Sequence, residues 1–290
     1  MPAESKILLS KYLSMIINNK KRILFIAHEM SPYLELTDYA KTLSELVVKC
    51  NDSNMEVRII MPRFGVINER RHRLHEVVRL SGINVIIDND DIPLLIKVAS
   101  LPTARLQVYF MDNEEYFKRK AVFRDAEGNW FEDNAMRMVF FCKGALETVK
   151  KFGWPPDIIH CSGWMTSLVP MYLKTAYKKE PVFANAKCLY TLQGNSFKEK
   201  LDSGFLKKAH ISNQIKEKDM ELYAPGTNVA LNTGACHFAD AIAIGDTKAD
   251  KKLVDAAKEE NGTSLLPYNK HHHEDVEDYL EFYEKIGAAD

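Results

Sequence analysis

The sequence contains few cysteines, and their spacing matches no recognisable site. Five occur in 290 residues without a CxxC pair: Cys50, Cys142, Cys161, Cys188 and Cys236. This odd, scattered set excludes a disulfide framework and a cysteine-based zinc centre as organising features. It is typical of reduced thiols, so we expect a cytoplasmic protein.

Excess charge and long apolar runs are also missing. The 39 basic and 40 acidic side chains leave a formal net charge of −1, which argues against a nucleic-acid partner and an anionic membrane surface. No stretch reaches the roughly 18 apolar residues of a membrane span. The apolar N-terminal stretch is interrupted by Lys11 and lacks a small-residue cleavage site, so we predict neither a signal peptide nor a membrane partner.

Several motifs of catalysis and cofactor binding are absent. The segment after the first apolar run, His28–Asp38, contains no G-x-G-x-x-G and no P-loop. The order around Ser162 is Cys-Ser-Gly-Trp rather than G-x-S-x-G, which does not favour a serine hydrolase. The His271–His273 run lacks the ligand spacing of a structural metal site. We therefore predict no metal and no cofactor.

Alternating strand and helix patterns fill most of the chain. Short apolar runs typical of buried parallel strands alternate with stretches of helical spacing, which predicts one α/β domain with a single Rossmann-like, doubly wound parallel sheet over 21–260. A helical extension is predicted over 1–20, with its helix at 5–18. Residues 261–290 form an acidic tail, either a closing helix or a partner-binding segment.

The region from 74 to 112 shows a different pattern. Two β-rich runs flank Ser81-Gly82, and two more flank the segment 102–105. Short polar turns between such runs are typical of hairpins. We predict an antiparallel β-hairpin elaboration of the α/β domain.

Ligands of a doubly wound sheet bind beyond the carboxyl ends of its strands. The loops of interest therefore begin at His28, Pro62, His160, Gln193 and Asp246. His160 ends an apolar strand, where a lone histidine is more often a hydrogen-bonded core residue than a base.

Two of these loops carry charged candidates. Glu29, Glu35 and Asp38 follow the first strand, where acids suit the start of a helix. Arg63 precedes Phe-Gly after the second strand and is placed to meet an anion, while Gly65 permits close backbone approach.

Five stretches together resemble one enzyme family. They are 23–33 (ILFIAHEMSPY), 57–67 (VRIIMPRFGVI), 133–147 (DNAMRMVFFCKGALE), 156–174 (PDIIHCSGWMTSLVPMYLK) and 232–250 (NTGACHFADAIAIGDTKAD). In this order they resemble the N-terminal half of bacterial glycogen synthases and plant starch synthases. The resemblance implies one half of a GT-B glycosyltransferase, of a family that transfers glucose from ADP-glucose to an α-1,4-glucan.

The resemblance also assigns a candidate ligand cleft and exposes departures from the family pattern. Ser162 and Gly163 stand where the family has His-Asp, and that histidine lies by the transferred glucose; His160 and Trp164 are retained as packing positions. No catalytic residue is therefore assigned. The candidate cleft comprises Glu29, Pro32, Glu35, Asp38, Arg63, Asp133, Asn134, Arg137, Ser162, Gly163, Trp164 and Gln193.

Two further loops depart from the family. Glu35 follows Pro32-Tyr-Leu where the family has a lysine and a glycine pair, which reverses a charge beside a diphosphate. Gln193-Gly194 replace His-Asn in the third loop. Asp133, Asn134 and Arg137 are retained, and a helix cap with an ion pair explains them as well as ligand contacts do.

These departures leave three functional alternatives. The second nucleotide-binding domain of the family has no counterpart after 260, so we expect a synthase-like domain that is inactive alone and keeps a surface for an α-glucan or for a partner. The alternatives are a split synthase subunit completed by a second protein chain, with ADP-glucose as donor, and a regulatory module that binds a small metabolite.

Overall fold

The computed structural model describes residues 20–194, 197–259, 264–272 and 275–288, so the helix predicted over 5–18 lies outside the described residues. Ten strands form the framework. They are β1 (Arg22–Ala27), β2 (Glu56–Pro62), β3 (His75–Glu76), β4 (Ile83–Ile87), β5 (Asp90–Leu101), β6 (Leu106–Asp112), β7 (Ile158–Ser162), β8 (Lys187–Leu192), β9 (Ala241–Ile244) and β10 (Ser264–Leu266).

Ten α-helices connect or flank these strands in the described part of the chain. They are α1 (Tyr39–Asp52), α2 (Glu69–His72), α3 (Glu114–Phe117), α4 (Asn134–Phe152), α5 (Val169–Lys174), α6 (Phe205–Ala209), α7 (Glu217–Met220), α8 (Asn228–Phe238), α9 (Lys251–Glu259) and α10 (Glu277–Ala288). Short 3-10 turns occupy Trp164–Thr166, Pro181–Phe183 and Glu221–Tyr223.

The strands lie in the order β10-β9-β8-β7-β1-β2-β6-β5-β3, with β4 paired to β5. Every pairing from β10 to β6 is parallel, and the pairings of β5 are antiparallel. This confirms the predicted α/β class. The chain runs from β1 to β2 on one side and from β7 to β9 on the other, so the strand order reverses between β1 and β7, where such sheets bind ligands.

The hairpin elaboration is present, but one of its turns was predicted wrongly. β5 and β6 pair from Leu101 with Leu106, across the expected turn at 102–105. The runs flanking Ser81-Gly82 do not pair with each other, because β3 and β4 both pair with β5. The second turn is instead Asp88-Asn89, where Asp88 takes a positive φ of 57° that a two-residue hairpin needs and aspartate tolerates.

Helix α4 begins after an aspartate and ends before a glycine. It starts directly after Asp133 and ends at Phe152, and the following Gly153 has a φ of 59°, the left-handed conformation typical of a helix C-terminus. Neither Asp133 nor Asp38, the corresponding residue of α1, makes a side-chain capping hydrogen bond. Both aspartates therefore sit at the cap positions without capping.

The C-terminal segment is part of the folded domain. β10 adds a parallel strand beside β9, and α10 buries Tyr279 and Tyr283 completely. Lys21 Nζ lies 2.7 Å from Glu284 at the other end of the described chain. In the described residues the five cysteines are buried and form no disulfide, and none of the helices described is long and apolar enough to cross a membrane.

Candidate functional site

A cleft of about 1010 Å³ opens at the carboxyl edge of the sheet. Four segments line it: the start of α1 with its preceding loop, the end of β8, the loop after β9, and the turn before α10. The lining residues are His28, Glu35, Leu36, Thr37, Asp38, Tyr39, Lys41, Thr42, Phe123, Gln193, Gly194, Gly245, Asp246, Thr247, Lys248, Tyr268, Asn269 and His272.

Two glycines in the cleft lining allow its loops to pack closely. A Cβ on Gly245 would stand 2.5 Å from Thr191 Cγ2, and one on Gly194 would stand 2.8 Å from Asp246 Oδ2. Gly194 also forms an isolated antiparallel bridge with Ala249. Close backbone packing at these positions fixes the loops after β8 and β9 against each other.

The charge of the cleft is mixed and slightly acidic. Its lining residues include the carboxylates of Glu35, Asp38 and Asp246 and the ammonium groups of Lys41 and Lys248, without an arginine among them. Burial lowers the pKa of His272, so this histidine is neutral near pH 7. An anion entering the cleft therefore meets no excess of positive charge.

Gln193 is a buried polar residue of the cleft lining. It is 5% exposed, and neither Oε1 nor Nε2 has a hydrogen-bond partner in the described part of the chain. A buried amide without partners costs free energy unless water or a ligand completes it. Phe123 and the partly exposed Tyr268 add aromatic surface to the same cleft.

His28 also lines the cleft, directly after β1. Its ring is buried, and burial lowers its pKa to about 4 against a smaller opposing effect of the Ser162 backbone. No group in the described residues completes a hydrogen bond of good geometry to Nδ1. The imidazole is therefore neutral near pH 7.

The acids of the first loop have separate roles. Glu29 is buried and accepts hydrogen bonds from the backbone N–H of Leu36 (2.6 Å) and Thr37 (2.8 Å) and from the Thr37 hydroxyl (2.7 Å). Burial raises its pKa. Glu29 therefore shapes the loop, whereas the exposed Glu35 lines the cleft and accepts from Ser31 Oγ.

The turn after β7 lies beneath the cleft and is closed. Ser162 is 3% exposed and Trp164 is 1% exposed. Gly163 has a φ of 81°, and a Cβ there would overlap the His28 ring. Phe123 and Phe197 pack on Trp164 at centroid distances of 4.9 and 5.0 Å.

Arg63 is engaged away from the cleft. Its Nη2 lies 2.9 Å from Asp112 Oδ1, and Lys97 contacts the other oxygen of the same carboxylate at 3.0 Å. The Asp112 side chain is 3% exposed. Gly65 does allow a close backbone approach, but the approaching atoms are the carbonyls of Lys118 and Arg119.

The retained residues of α4 fasten a loop. Arg137 is fully buried and donates to the carbonyls of Tyr116 (2.8 Å) and Val122 (2.6 Å) and to Asn134 Oδ1 (2.7 Å). Asn134 Nδ2 donates to the Phe123 carbonyl at 2.9 Å, and Asp133 pairs with Arg119. Burial lowers the pKa of Arg137 to about 9.

His160 belongs to the core, as its place on an apolar strand predicts. Nδ1 lies 2.6 Å from the Tyr283 hydroxyl and Nε2 lies 2.6 Å from Thr191 Oγ1. Burial lowers its pKa to about 3. The ring stacks on Tyr279 at 5.7 Å, so it joins α10 to the middle of the sheet.

The structure thus gathers only part of the predicted set in the cleft. Glu35, Asp38 and Gln193 line it; Pro32 is exposed on the turn before Glu35, and the others lie beside or beneath the cleft. Sequence reasoning missed Lys41, Tyr268, Asn269 and His272 as lining residues, while His28 and Asp246 had been marked only as loop starts. The described residues hold no cluster of histidine, cysteine or carboxylate side chains placed to bind a metal ion.

Comparison with known proteins agrees with this architecture. The profile of the starch synthase catalytic domain matches residues 22–262. A glycogen synthase from Chlorobaculum tepidum is 34% identical over 236 residues, 81% of this chain and 47% of that protein. One from Chlorobium chlorochromatii is 40% identical over 179 residues, 61% of this chain and 36% of that protein. The chain spans less than half the length of these relatives.

A solved structure shows the same fold. The catalytic domain of starch synthase IV from Arabidopsis thaliana, bound to ADP and acarbose, superposes with a TM-score of 0.68 at 17% identity. The alignment covers 86% of this chain and 52% of the other. With the profile match, these relatives establish that the chain belongs to the glycogen and starch synthase family of glycosyltransferases.

Proposed function

We propose that this domain binds an α-glucan in the described cleft and does not itself transfer glucose from ADP-glucose. The observation that carries the proposal is the chemistry of the cleft lining. It offers an unpaired amide, aromatic surface and neutral imidazoles, but no excess of positive charge.

The charges favour an uncharged ligand. A sugar nucleotide carries a diphosphate, which proteins usually meet with arginine, lysine or a helix N-terminus. Here the start of α1 lines the cleft, but Asp38 stands at that helix start, and Glu35, Asp38 and Asp246 outnumber Lys41 and Lys248 among the lining residues. The neutral hydroxyl groups of a glucan encounter no such repulsion.

The polar and aromatic groups fit a sugar ring. Gln193 presents both a donor and an acceptor, as a vicinal pair of hydroxyl groups requires. Tyr268 is 38% exposed, and its ring offers a face for the apolar side of a sugar. A glucan that bound here would satisfy a buried amide that the described protein leaves without partners.

The closed turn supports the absence of transfer. Ser162 occupies the position that the family resemblance gives to a histidine beside the transferred glucose. It is buried, it carries no imidazole, and the His28 ring fills the space above Gly163. Completion by a partner through the C-terminal helix is not favoured, because Tyr279 and Tyr283 of α10 are already buried in this domain.

The test is ligand binding by the purified chain. Maltoheptaose, ADP, ADP-glucose and glucose-6-phosphate are titrated separately by calorimetry, and thermal unfolding is followed with each. A ligand at about 100 times its Kd stabilises a folded protein by about 2.7 kcal/mol. We expect saturable binding and a higher melting temperature with maltoheptaose and with none of the other three.

Two controls sharpen this test. Gln193→Ala should weaken maltoheptaose binding, whereas Gln107→Ala on β6, outside the lining set, should leave binding unchanged. Saturable binding of ADP-glucose, or incorporation of labelled glucose into glycogen by the chain alone, would contradict the proposal. Binding of glucose-6-phosphate but not of maltoheptaose would instead identify a metabolite-binding module.

A further inference from the structure

His28 is a buried imidazole in the lining of the cleft. It is 2% exposed, and its Nδ1 lies against Gly163 and near the Ser162 backbone, with no hydrogen bond of good geometry in the described part of the chain. Nε2 lies farther from Gly163 than Nδ1 does. Buried polar atoms in folded proteins are nearly always paired with protein, water or ligand, and Nε2 is the ring nitrogen that a ligand in the cleft can reach.

The ring is held from two sides. On one side lies Gly163, where any Cβ would overlap ring atoms Cε1 and Nδ1. On the other side Phe123 packs edge-to-face at a centroid distance of 5.7 Å. Only a residue without a side chain at 163 leaves room for this placement, so the glycine seats the imidazole.

The protonation state of the ring selects the kind of ligand. Burial keeps the imidazole neutral near pH 7, and a neutral imidazole offers one N–H donor and one acceptor nitrogen. A sugar hydroxyl both donates and accepts, so it matches either nitrogen. A phosphate oxygen accepts only and is best met by cations, which this ring does not supply.

Gln193 stands on the opposite side of the same turn. Ala27, Ser162 and Thr191 are aligned across β1, β7 and β8, so His28 and Leu192 lie on either side of Gly163, and Gln193 follows one residue further along the chain from β8. Two strand spacings separate their backbones by about 10 Å. Within the described residues both side chains carry polar atoms without hydrogen-bond partners, and a hydroxyl-rich ring with groups on opposite sides can bridge them.

We propose that His28, seated by Gly163, is a ligand-contacting residue that hydrogen-bonds a hydroxyl group of an uncharged, hydroxyl-rich ring in this cleft. The inference deepens the proposed glucan binding and rests on it. The ligand-facing imidazole is therefore that of His28 at the end of β1. The turn after β7 contributes only Gly163, which makes room for this ring.

The experiment combines three variants with a direct view of the ring. His28→Phe keeps a ring of similar volume without nitrogens, and we expect it to weaken maltoheptaose binding at least about tenfold, the equivalent of 1.4 kcal/mol. His28→Asn keeps a hydrogen-bonding amide at this position and should retain more affinity than His28→Phe. His75→Phe makes the same change at an exposed residue of β3 and should bind as the wild type does.

Nuclear magnetic resonance gives the second readout. The ring nitrogen shifts of His28, assigned by their loss in His28→Asn, should move as maltoheptaose saturates the wild-type protein. Melting temperatures verify that each variant is folded. If His28→Phe does not fold, the nitrogen shifts of the wild-type protein decide the question.

The outcomes separate the two proposals. Wild-type affinity in folded His28→Phe, or unchanged His28 shifts at saturation, overturns the role of His28 and leaves glucan binding in place. Failure of the wild-type protein to bind maltoheptaose overturns both. Loss of binding in His28→Phe, partial recovery in His28→Asn and movement of the ring nitrogens support the role of His28.

Discussion

The turn after β7 and the cleft beside it lie on the same edge of one sheet, yet the first is filled and the second is open. At the turn, Gly163 lacks a side chain and the His28 ring occupies the space. In the cleft, Gln193 is buried and neither of its amide atoms has a hydrogen-bond partner among the described residues. At the turn, where the chain departs from the family pattern, the ring of His28 fills the space beside Gly163. The cleft next to it keeps polar groups that a bound ligand can satisfy.

The largest expected effect concerns the loop over the closed turn. Arg137→Met removes the donors that hold the carbonyls of Tyr116 and Val122, and each buried acceptor left alone costs about 1–3 kcal/mol. We expect the free energy of unfolding in urea to fall by about 4 kcal/mol. Arg124→Met removes a half-exposed pair with Glu199 and should cost less than about 1 kcal/mol; equal losses would show that Arg137 does not hold the loop.

The second prediction separates steric filling from backbone strain. Gly163→Ala and Gly128→Ala both place alanine at a positive φ, 81° and 86°, but only at Gly163 would the new Cβ meet another residue, His28. Overpacking typically costs about 1–3 kcal/mol, so Gly163→Ala should be less stable than Gly128→Ala by about that amount in urea. His28→Ala should recover much of this difference in the double variant. Additive losses would mean that the ring does not occupy the space.

A third prediction uses pH to test the closed region. The pKa of His160 is about 3 in the folded protein and about 6.5 when unfolded. Between these values the unfolded state binds the extra proton, so stability falls as pH falls, by up to about 1.4 kcal/mol per pH unit.

The matching variant isolates this contribution. His160→Gln keeps hydrogen-bonding groups near Tyr283 and Thr191 but cannot gain a proton. Urea unfolding at pH 7.5, 6.5 and 5.5 should show a steeper loss of stability in the wild-type protein than in His160→Gln. Parallel curves for the two proteins would contradict a buried neutral His160, and His75→Gln should follow the wild type because His75 is exposed.

The smallest effect is expected in the open cleft. Glu35→Lys changes the slight excess of acidic groups in the cleft into an excess of basic groups. One added contact between opposite charges contributes about 1 kcal/mol of binding free energy in water. The affinity for ADP, too low to saturate the wild-type cleft, should therefore rise about fivefold, an effect that declines with salt. Glu45→Lys makes the same change on the exposed side of α1, outside the lining set; calorimetry should show no gain there. Equal gains would mean that the cleft charge does not select the ligand.

The sequence predicts the sheet well, because buried parallel strands are short apolar runs that local composition reveals. β1, β2, β7, β8 and β9 all lie where such runs occur. β10 is harder to find, since it has three residues and only two of them are apolar. The misplaced hairpin turn has a similar cause: Ser81-Gly82 and Asp88-Asn89 both suit turns, and only the pairing of β4 with β5 decides between them.

The site is less predictable than the sheet. Strand order alone indicates the edge where His28, Gln193 and Asp246 lie. It gives no sign that the ring of His28 fills the space beside Gly163, because that contact joins distant segments through the absence of a side chain. Strand order also does not indicate Tyr268, Asn269 and His272. These residues follow β10, which pairs with β9 and brings them to the cleft.

The packing of α10 has a practical consequence for expressing this protein. The family match ends at residue 262, but Tyr279 and Tyr283 beyond it cover His160 and Phe25 in the core. A fragment cut at the family boundary would expose that apolar surface to solvent and invite aggregation. We therefore expect the folding unit to extend beyond residue 262, and a truncation series ending at 262, 276 and 288 should yield soluble protein only when α10 is included.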